Sequence, residues 1–282
     1  MKKKPIIALM YDFDHTLSPR DMQEYGFIPG LGMEAGEFWA DCIKLAKRHQ
    51  MDQILAYMYN MIEKSEGKQV VTRDSLRALG KSVKLFNGVA TWFKRVNEYA
   101  NSRGLTPEHY IISSGLKEII EGTTIAHEFK EIYAASFCYN EKGIPFWPAM
   151  AVNYTSKTQF LFRINKGILD TNENKTINEY MPEDLRRVPF RNMIYVGDGM
   201  TDVPSMKLTK VNGGHSIAVY QEEKSGADRM LLDGRVDYVV KADYSKGSEM
   251  EKTVFEIIDQ IAAVSKALGR HIEHVDRAVS DK

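Results

Sequence analysis

The feature that most constrains this chain is a short apolar run that stops abruptly on two acids, Ile6-Ile7-Ala8-Leu9-Met10 followed by Tyr11-Asp12-Phe13-Asp14. A brief, unalternating run of this kind, closed by polar residues, suits a strand buried on both faces, as in a parallel sheet. The pattern recurs along the chain. Tyr110-Ile111-Ile112 is expected to end in Ser113-Ser114-Gly115, and Met193-Ile194-Tyr195-Val196 in Gly197-Asp198-Gly199. Segments 216–220 and 237–240 read as two further strands. Between them lie helical patterns such as 89–100, with Val89, Trp92, Phe93, Val96 and Tyr99 on one stripe. Strands alternating with helices imply an α/β fold with a mostly parallel sheet, and in such sheets the site lies beyond the carboxyl ends of the strands. The Asp, Ser and Gly-Asp-Gly clusters all fall there.

From about Ser18 to Leu85 the alternation breaks. Phe38, Trp39, Ile43, Leu45 and Ala46, then Ile54, Leu55, Met58, Met61 and Ile62, recur at helical spacing. Ordinary packing helices would give the same pattern, but a place directly after the first acidic strand end favours a helical cap insert. The expected organisation is a catalytic core of residues 1–17 and 86–282 with a cap of residues 18–85. Asn140-Glu141-Lys142-Gly143, flanked by aromatic and β-branched residues, reads as a hairpin. Residues 170–187 read as a loop or an extra helix. Residues 249–268 read as an amphipathic helix with Val254, Ile257, Ile258 and Ile261 inward.

Composition excludes several classes. With 38 Lys+Arg against 38 Asp+Glu the formal charge is zero, which gives no general attraction to polyphosphate, so no nucleic-acid partner is expected. No apolar run approaches the ~20 residues needed to span a bilayer. The apolar run after Lys2-Lys3-Lys4 is short and lacks a small-residue cleavage site, which argues against an export signal. Two cysteines, Cys42 and Cys138, make neither a disulfide framework nor a CxxC pair. A soluble, cytoplasmic enzyme without a membrane partner is the expectation.

The chemistry gathers at the strand ends. Residues two apart in extended chain project to one face, so Asp12 and Asp14 can converge. Two close carboxylates repel, and they call for a cation or a shared proton. Asp198 and Asp202, in Gly197-Asp198-Gly199-Met200-Thr201-Asp202, add carboxylates at another strand end. Carboxylate oxygens are the ligands Mg²⁺ prefers, with water and substrate phosphate filling the remaining positions. Ser113, Ser114 and Gly115 offer a hydroxyl and backbone N–H groups for phosphate at a helix N-terminus. Lys157, in Thr155-Ser156-Lys157-Thr158, brings positive charge to the start of another helix.

With these residues on the page, the chain resembles a haloacid dehalogenase-superfamily phosphatase, and within that superfamily the phosphoserine-phosphatase type with a helical first cap. The first motif, DxDx[TV], stands as Asp12-Phe13-Asp14-His15-Thr16, and the fourth, GDGxxD, as Gly197 to Asp202. The second-motif Ser corresponds to Ser113 and the third-motif Lys to Lys157. The resemblance covers nearly the whole chain. It implies a Rossmann-like core, an aspartyl-phosphate intermediate on Asp12, and Asp14 as the acid and base. It further implies Mg²⁺ held by Asp12, the backbone carbonyl of Asp14 and Asp198, with Asp202 a metal-shell or supporting residue. Phosphate would be bound by Asp12, Thr16, Ser113, Ser114, Gly115 and Lys157, with Thr16 also fixing the turn after the strand.

The sequence departs from the pattern at Ser113-Ser114-Gly115, where relatives usually carry Ser-Gly-Gly. A single Lys carries no pattern, so Lys166 and Lys175 remain open beside Lys157. The resemblance implies that acidic and Arg residues of the cap grip the substrate head. Glu24, Arg73 and Arg77 are the candidates, each with solvated helix charge as the plainer reading. Of Phe27, Phe38, Trp39 and Tyr57, some could line a pocket and most are expected in the core. The expected substrate is a small phosphorylated metabolite, such as a phosphoserine-like ester. A phosphomutase or phosphotransferase of the same superfamily, or a non-catalytic phosphate sensor, is the alternative. The glycines at 30, 32 and 36 are spaced wrongly for a dinucleotide loop and lack a preceding strand.

Overall fold

The computed structural model describes residues 4–280. Seven strands form one sheet: β1 (Ile6–Tyr11), β2 (Thr106–Leu116), β3 (Glu131–Tyr139), β4 (Pro145–Met150), β5 (Met193–Gly197), β6 (His215–Tyr220) and β7 (Tyr238–Lys241). Their spatial order is β4-β3-β2-β1-β5-β6-β7. Every neighbouring pair is parallel except β3 and β4, the two arms of the hairpin.

The apolar run that opens the chain is the central strand, as its continuous hydrophobicity requires. Ile7, Leu9 and Tyr11 face a layer that includes Trp92, Phe93 and Val96 of the helix Val89–Ser102 and Val254 and Ile258 of the terminal helix. Ala8 and Met10, alternating with them, face Phe160, Leu161 and Ile164 of the helix Lys157–Lys166, together with Met206. β2 lies on one side of β1 and β5 on the other, with Tyr11 opposite both Ile111 and Val196. The chain therefore reverses its direction of travel across the sheet at β1, and a crevice opens beyond that strand's carboxyl end.

Between β1 and the helix Val89–Ser102 the chain forms the helices Ala35–His49, Gln53–Ser65 and Arg73–Leu79. Their starts have identifiable caps. The Asp52 carboxylate accepts from the Ile54 and Leu55 N–H groups, and Thr72 and Ser75 cap each other reciprocally. Phe27, Phe38, Met58, Met61 and Leu76 sink into the same apolar cluster as the central strand, so these helices share its core. The hairpin is tied to them by the Arg73 N–H, which donates to the Gly143 carbonyl at 2.9 Å.

Three elements differ from expectation. β2 does not stop before Ser113 but continues to Leu116, with a bulge where the register jumps from Ser113↔Ala134 to Leu116↔Ala135. The helix that follows, Lys117–Glu121, is only five residues long, so Ser113 to Gly115 form a bulged strand and not the start of a substantial helix. The terminal helix runs on to Ser280, twelve residues past the expected end. Among the described residues no helix is long and apolar enough to cross a membrane.

The extra segment between the helix Lys157–Lys166 and β5 has little core of its own and is held by cations. The Arg163 guanidinium, 3% exposed, donates to the carbonyls of Asp170, Thr171 and Glu173. Lys166 donates to those of Ile177 and Glu179. Arg187 forks onto Glu108 of β2, with Tyr110 and Lys130 on the same carboxylate. Burial pushes Glu108 up, but these partners outweigh it and hold the carboxyl down at about 2. A depressed carboxylate contributes stability above its unfolded pKa of 4.5 and loses it as pH falls toward 2. Glu108→Gln is therefore expected to lower stability at pH 7 by about 1–2 kcal/mol, allowing for solvent screening of this network, whose cations are partly exposed. Urea unfolding of both proteins from pH 7 to pH 2 should show the difference closing as the native carboxylate protonates; a difference independent of pH would overturn the ion-pair account.

Candidate active site

Asp12 is the first residue beyond β1, and its N–H donates to the Val196 carbonyl at 2.9 Å, continuing the ladder one step past the strand. The chain then turns sharply. Leu17 and Ser18 both donate to the Phe13 carbonyl, and His15 takes a left-handed backbone with φ of 57°. Thr16 is fully buried in this turn; its Oγ1 donates to Asp198 Oδ1 at 3.4 Å, and its carbonyl accepts from the Tyr244 hydroxyl at 2.8 Å. Gly197, the end of β5, is required by crowding: a Cβ there would come within 2.6 Å of Asp202 Cγ.

Lys157 lies beneath this turn with no solvent exposure. Its Nζ is 3.2 Å from Asp12 Oδ1 and 2.8 Å from Asp202 Oδ1. The Tyr195 hydroxyl donates to the same Asp202 oxygen at 2.8 Å. The Phe13 N–H donates to Asp12 Oδ1 at 2.7 Å, so both Asp12 contacts act on one oxygen. Burial alone would lower the Lys157 ammonium, but Asp12 and Asp202 outweigh it and raise it above its ordinary range. Lys157 is a fixed cation.

Asp12, Asp198 and Asp202 each offer a carboxylate oxygen within 4.8 Å of the other two. Three carboxylates against the one Lys157 ammonium leave an excess of two negative charges in a largely buried space. Burial, with Asp202 and Asp12 adding repulsion, pushes Asp198 up to about 8. Burial pushes Asp12 up to about 6 against the pull of Lys157. An all-oxygen set with this excess charge fits a hard divalent cation. Asp14 stands apart: its Oδ1 accepts the Met22 N–H at 2.8 Å, and burial, then Asp21 and Asp12, push it well above the usual carboxylate range. A carboxyl held protonated in this way is equipped to donate.

Opposite these acids is the β2 bulge. Ser113 Oγ accepts the Gly115 N–H at 3.0 Å, which leaves its own hydroxyl proton for another acceptor. Gly115 tolerates no side chain, since a Cβ would stand 2.1 Å from Met22 Cε and 2.8 Å from Asp14 Oδ2. The Ser114 carbonyl accepts from the Tyr57 hydroxyl at 2.8 Å. A cavity of about 330 Å³ joins Asp12, Asp14, Ser113, Ser114, Gly115 and Asp198 to Trp39 and Tyr57 of the inserted helices.

The structure thus brings Asp12, Asp14, Thr16, Ser113, Ser114, Gly115, Lys157, Asp198 and Asp202 to one place. It does not bring Arg73 or Arg77 there: Arg73 lies over the Tyr139 ring, and Arg77 is exposed beside Glu121. Glu24 meets the cavity only through Trp39, whose Nε1 donates to Glu24 Oε1 at 3.0 Å. Phe27 and Phe38 are buried in the core, whereas Trp39 and Tyr57 line the cavity. Lys166 is occupied in the extra segment and Lys175 begins a short helix there. Sequence reasoning missed Asp21 and Gln23 in the wall and Tyr195 behind Asp202. Tyr195 carried a faint signal, a phenol inside an otherwise aliphatic buried strand; the other two carried none.

Comparison with known proteins bears on the family and the fold. A family profile described as haloacid dehalogenase-like hydrolase matches residues 9–207. An uncharacterized protein of Borreliella burgdorferi is 27% identical over 91% of this chain and 98% of its own length. A substrate-bound phosphoserine phosphatase structure is similar with a TM-score of 0.52 and 14% identity, covering 85% of this chain and 95% of that one. A probable phosphoserine phosphatase from Vibrio cholerae is similar with a TM-score of 0.56 and 11% identity, covering 94% of this chain and 69% of that one. At such identities the likeness is one of fold.

Removing a fixed cation beside a transferring group typically costs ~10²–10³ in turnover. Lys157→Ala should lose that much kcat, while Lys166→Ala and Lys175→Ala should stay near the parent level. Steady-state kinetics on p-nitrophenyl phosphate, with circular dichroism to verify folding, would check the ranking, and its reversal would move the catalytic lysine.

Proposed function

We propose, since the chain belongs to the haloacid dehalogenase-like hydrolases, that it is a Mg²⁺-dependent phosphatase of a small phosphomonoester, acting through a phosphoryl group carried on Asp12. The observation that carries this reading is the buried Lys157 between Asp12 and Asp202, with Asp198 closing a carboxylate cluster above it. Asp12, Asp198 and the Asp14 carbonyl would hold the metal, and Asp202 would chiefly hold Lys157. When bound, the metal would supply positive charge that offsets the negative charge of the carboxylates and of the phosphoryl group.

The chain's own groups account for the rest. An Asp12 carboxylate oxygen forms a bond to phosphorus as the ester P–O bond breaks. Asp14, held protonated by burial and by its neighbours Asp21 and Asp12 and aligned by the Met22 N–H, gives its proton to the departing alcohol oxygen. Water then attacks phosphorus, Asp14 takes back a proton, and the Asp12–phosphorus linkage breaks to release inorganic phosphate. The Ser113 hydroxyl positions the transferring group, and Lys157, beneath Asp12, keeps that carboxylate ionised and offsets the charge of the group it carries. The site faces the helices formed by residues 18–85, which in this reading are a cap that keeps bulk water from the phosphorylated Asp12. Phosphoserine itself gains no support from the candidate arginines, which lie outside the cavity.

Asp12→Asn keeps the shape of the side chain and removes the nucleophile. It should abolish hydrolysis of p-nitrophenyl phosphate with a melting temperature near the parent's. EDTA should abolish the parent's activity and Mg²⁺ restore it, and beryllofluoride, a phosphoryl mimic, should inhibit. Full activity in EDTA would overturn the metal assignment, and an active Asp12→Asn the nucleophile.

A further inference from the structure

Beyond the phosphoryl group, the wall of the cavity has a distinct chemistry. Among the described residues its lining contains no Lys or Arg, and Lys157 is sealed beneath Asp12. The imidazole in the wall, His15, is matched by Asp21, whose Oδ1 lies 3.5 Å from its Nε2. The head-group side is Trp39, Ile54 and Tyr57, with the Trp39 and Tyr57 rings edge to face at 6.1 Å. Trp39 Nε1 donates to Glu24 Oε1 at 3.0 Å. A carboxylate bonded to the indole N–H feeds electron density into the ring, which strengthens its attraction for a cation. Gln23 also lines the cavity, is only 2% exposed, and its Oε1 has no hydrogen-bond partner. A buried acceptor without a donor is costly unless a ligand supplies one.

Resting on the phosphatase reading above, we propose that the substrate is the phosphate ester of a short amino alcohol, with a primary ammonium head and no carboxylate. The ammonium stacks against Trp39 and Tyr57, near the Glu24 charge, and donates an N–H to Gln23 Oε1. A carboxylate at the same place would find no arginine or lysine among the described lining residues to balance it, and so is disfavoured. The chemistry at phosphorus is unchanged; the head group decides which ester enters.

The test compares kcat/KM of the full-length Mg²⁺ enzyme on O-phosphoethanolamine, O-phosphoserine, O-phosphocholine and uncharged propyl phosphate. O-phosphoethanolamine should exceed both O-phosphoserine and propyl phosphate by about tenfold or more, the equivalent of one satisfied polar contact. In Trp39→Leu and Gln23→Met the ratio of O-phosphoethanolamine to propyl phosphate should collapse toward one, whatever loss the two esters share. O-phosphoserine preferred, or equal rates on all four, would overturn the proposal. O-phosphocholine, which lacks an N–H, should rank below O-phosphoethanolamine; parity would overturn the role of Gln23. Calorimetric binding of the same esters to Asp12→Asn separates the two readings. Preference for O-phosphoethanolamine there, with no turnover by the parent, would overturn the phosphatase reading and support the head-group site. Turnover of p-nitrophenyl phosphate without any head-group preference would do the reverse.

Discussion

The contact on which the rest of this structure depends is the Lys157 ammonium held between Asp12 and Asp202. Each of its members comes from a different part of the chain: the end of β1, the start of the helix after the hairpin, and the loop after β5. Charges without water are tolerated only when matched and hydrogen-bonded, and removal of one partner from such a set typically costs about 3–5 kcal/mol. The pairing therefore dictates where three separate segments meet. Tyr195 secures it further by donating to Asp202, so even the interior of β5 is committed to the site.

The excess of negative charge above that pair has a structural consequence. Burial and the charge of Asp202 push Asp12 up to about 6 against the pull of Lys157, and burial, Asp202 and Asp12 push Asp198 up to about 8. Such crowding is unfavourable for folding alone and is maintained by rigid surroundings: the ladder step from Asp12 to Val196, the glycine at 197, and the Thr16 turn pinned by Tyr244. Local destabilisation of this kind is typical of places where chemistry is done.

Much of the fold could be read from the chain because its signals were of long range and of one kind. Unalternating apolar runs specify strands covered on both faces, and the period of 3.6 marked both the inserted helices and the inward stripe of the terminal helix. Asp12, Asp14, Asp198 and Asp202 were legible because strand ends and short motifs fix their spacing. Lys157 was not unique on the chain; only packing distinguishes it from Lys166, which serves the carbonyls of Ile177 and Glu179. Ser113 to Gly115 look like a strand terminus, yet pairing with Ala134 and Ala135 carries β2 through them as a bulge. The terminal helix was expected to stop near Gly269, but the apolar period continues through Ile272, Val275 and Val279, and one glycine weakens a helix by only about 1 kcal/mol. Gln23 lies in the single 3-10 turn Met22–Tyr25 and Asp21 just before it, a stretch too short for any periodicity to point a side chain. Arg73 and Arg77 looked suitable by charge, and charge alone says nothing of direction.

The bulge of β2 has a consequence for how the inserted helices relate to the chemistry. Met22 aligns Asp14 with its N–H and touches the bulge through its thioether, which accepts the Leu116 N–H at 3.2 Å. Tyr57 reaches the Ser114 carbonyl from the other side. On the proposed reading, the segment that encloses the substrate is therefore also the one that aims Asp14 and braces the Ser113–Gly115 bulge. Transplanting the inserted helices of a relative onto this core would exchange more than the walls of the pocket. It would also remove the Met22 contact to Asp14, so on the proposed reading recognition and proton delivery change together.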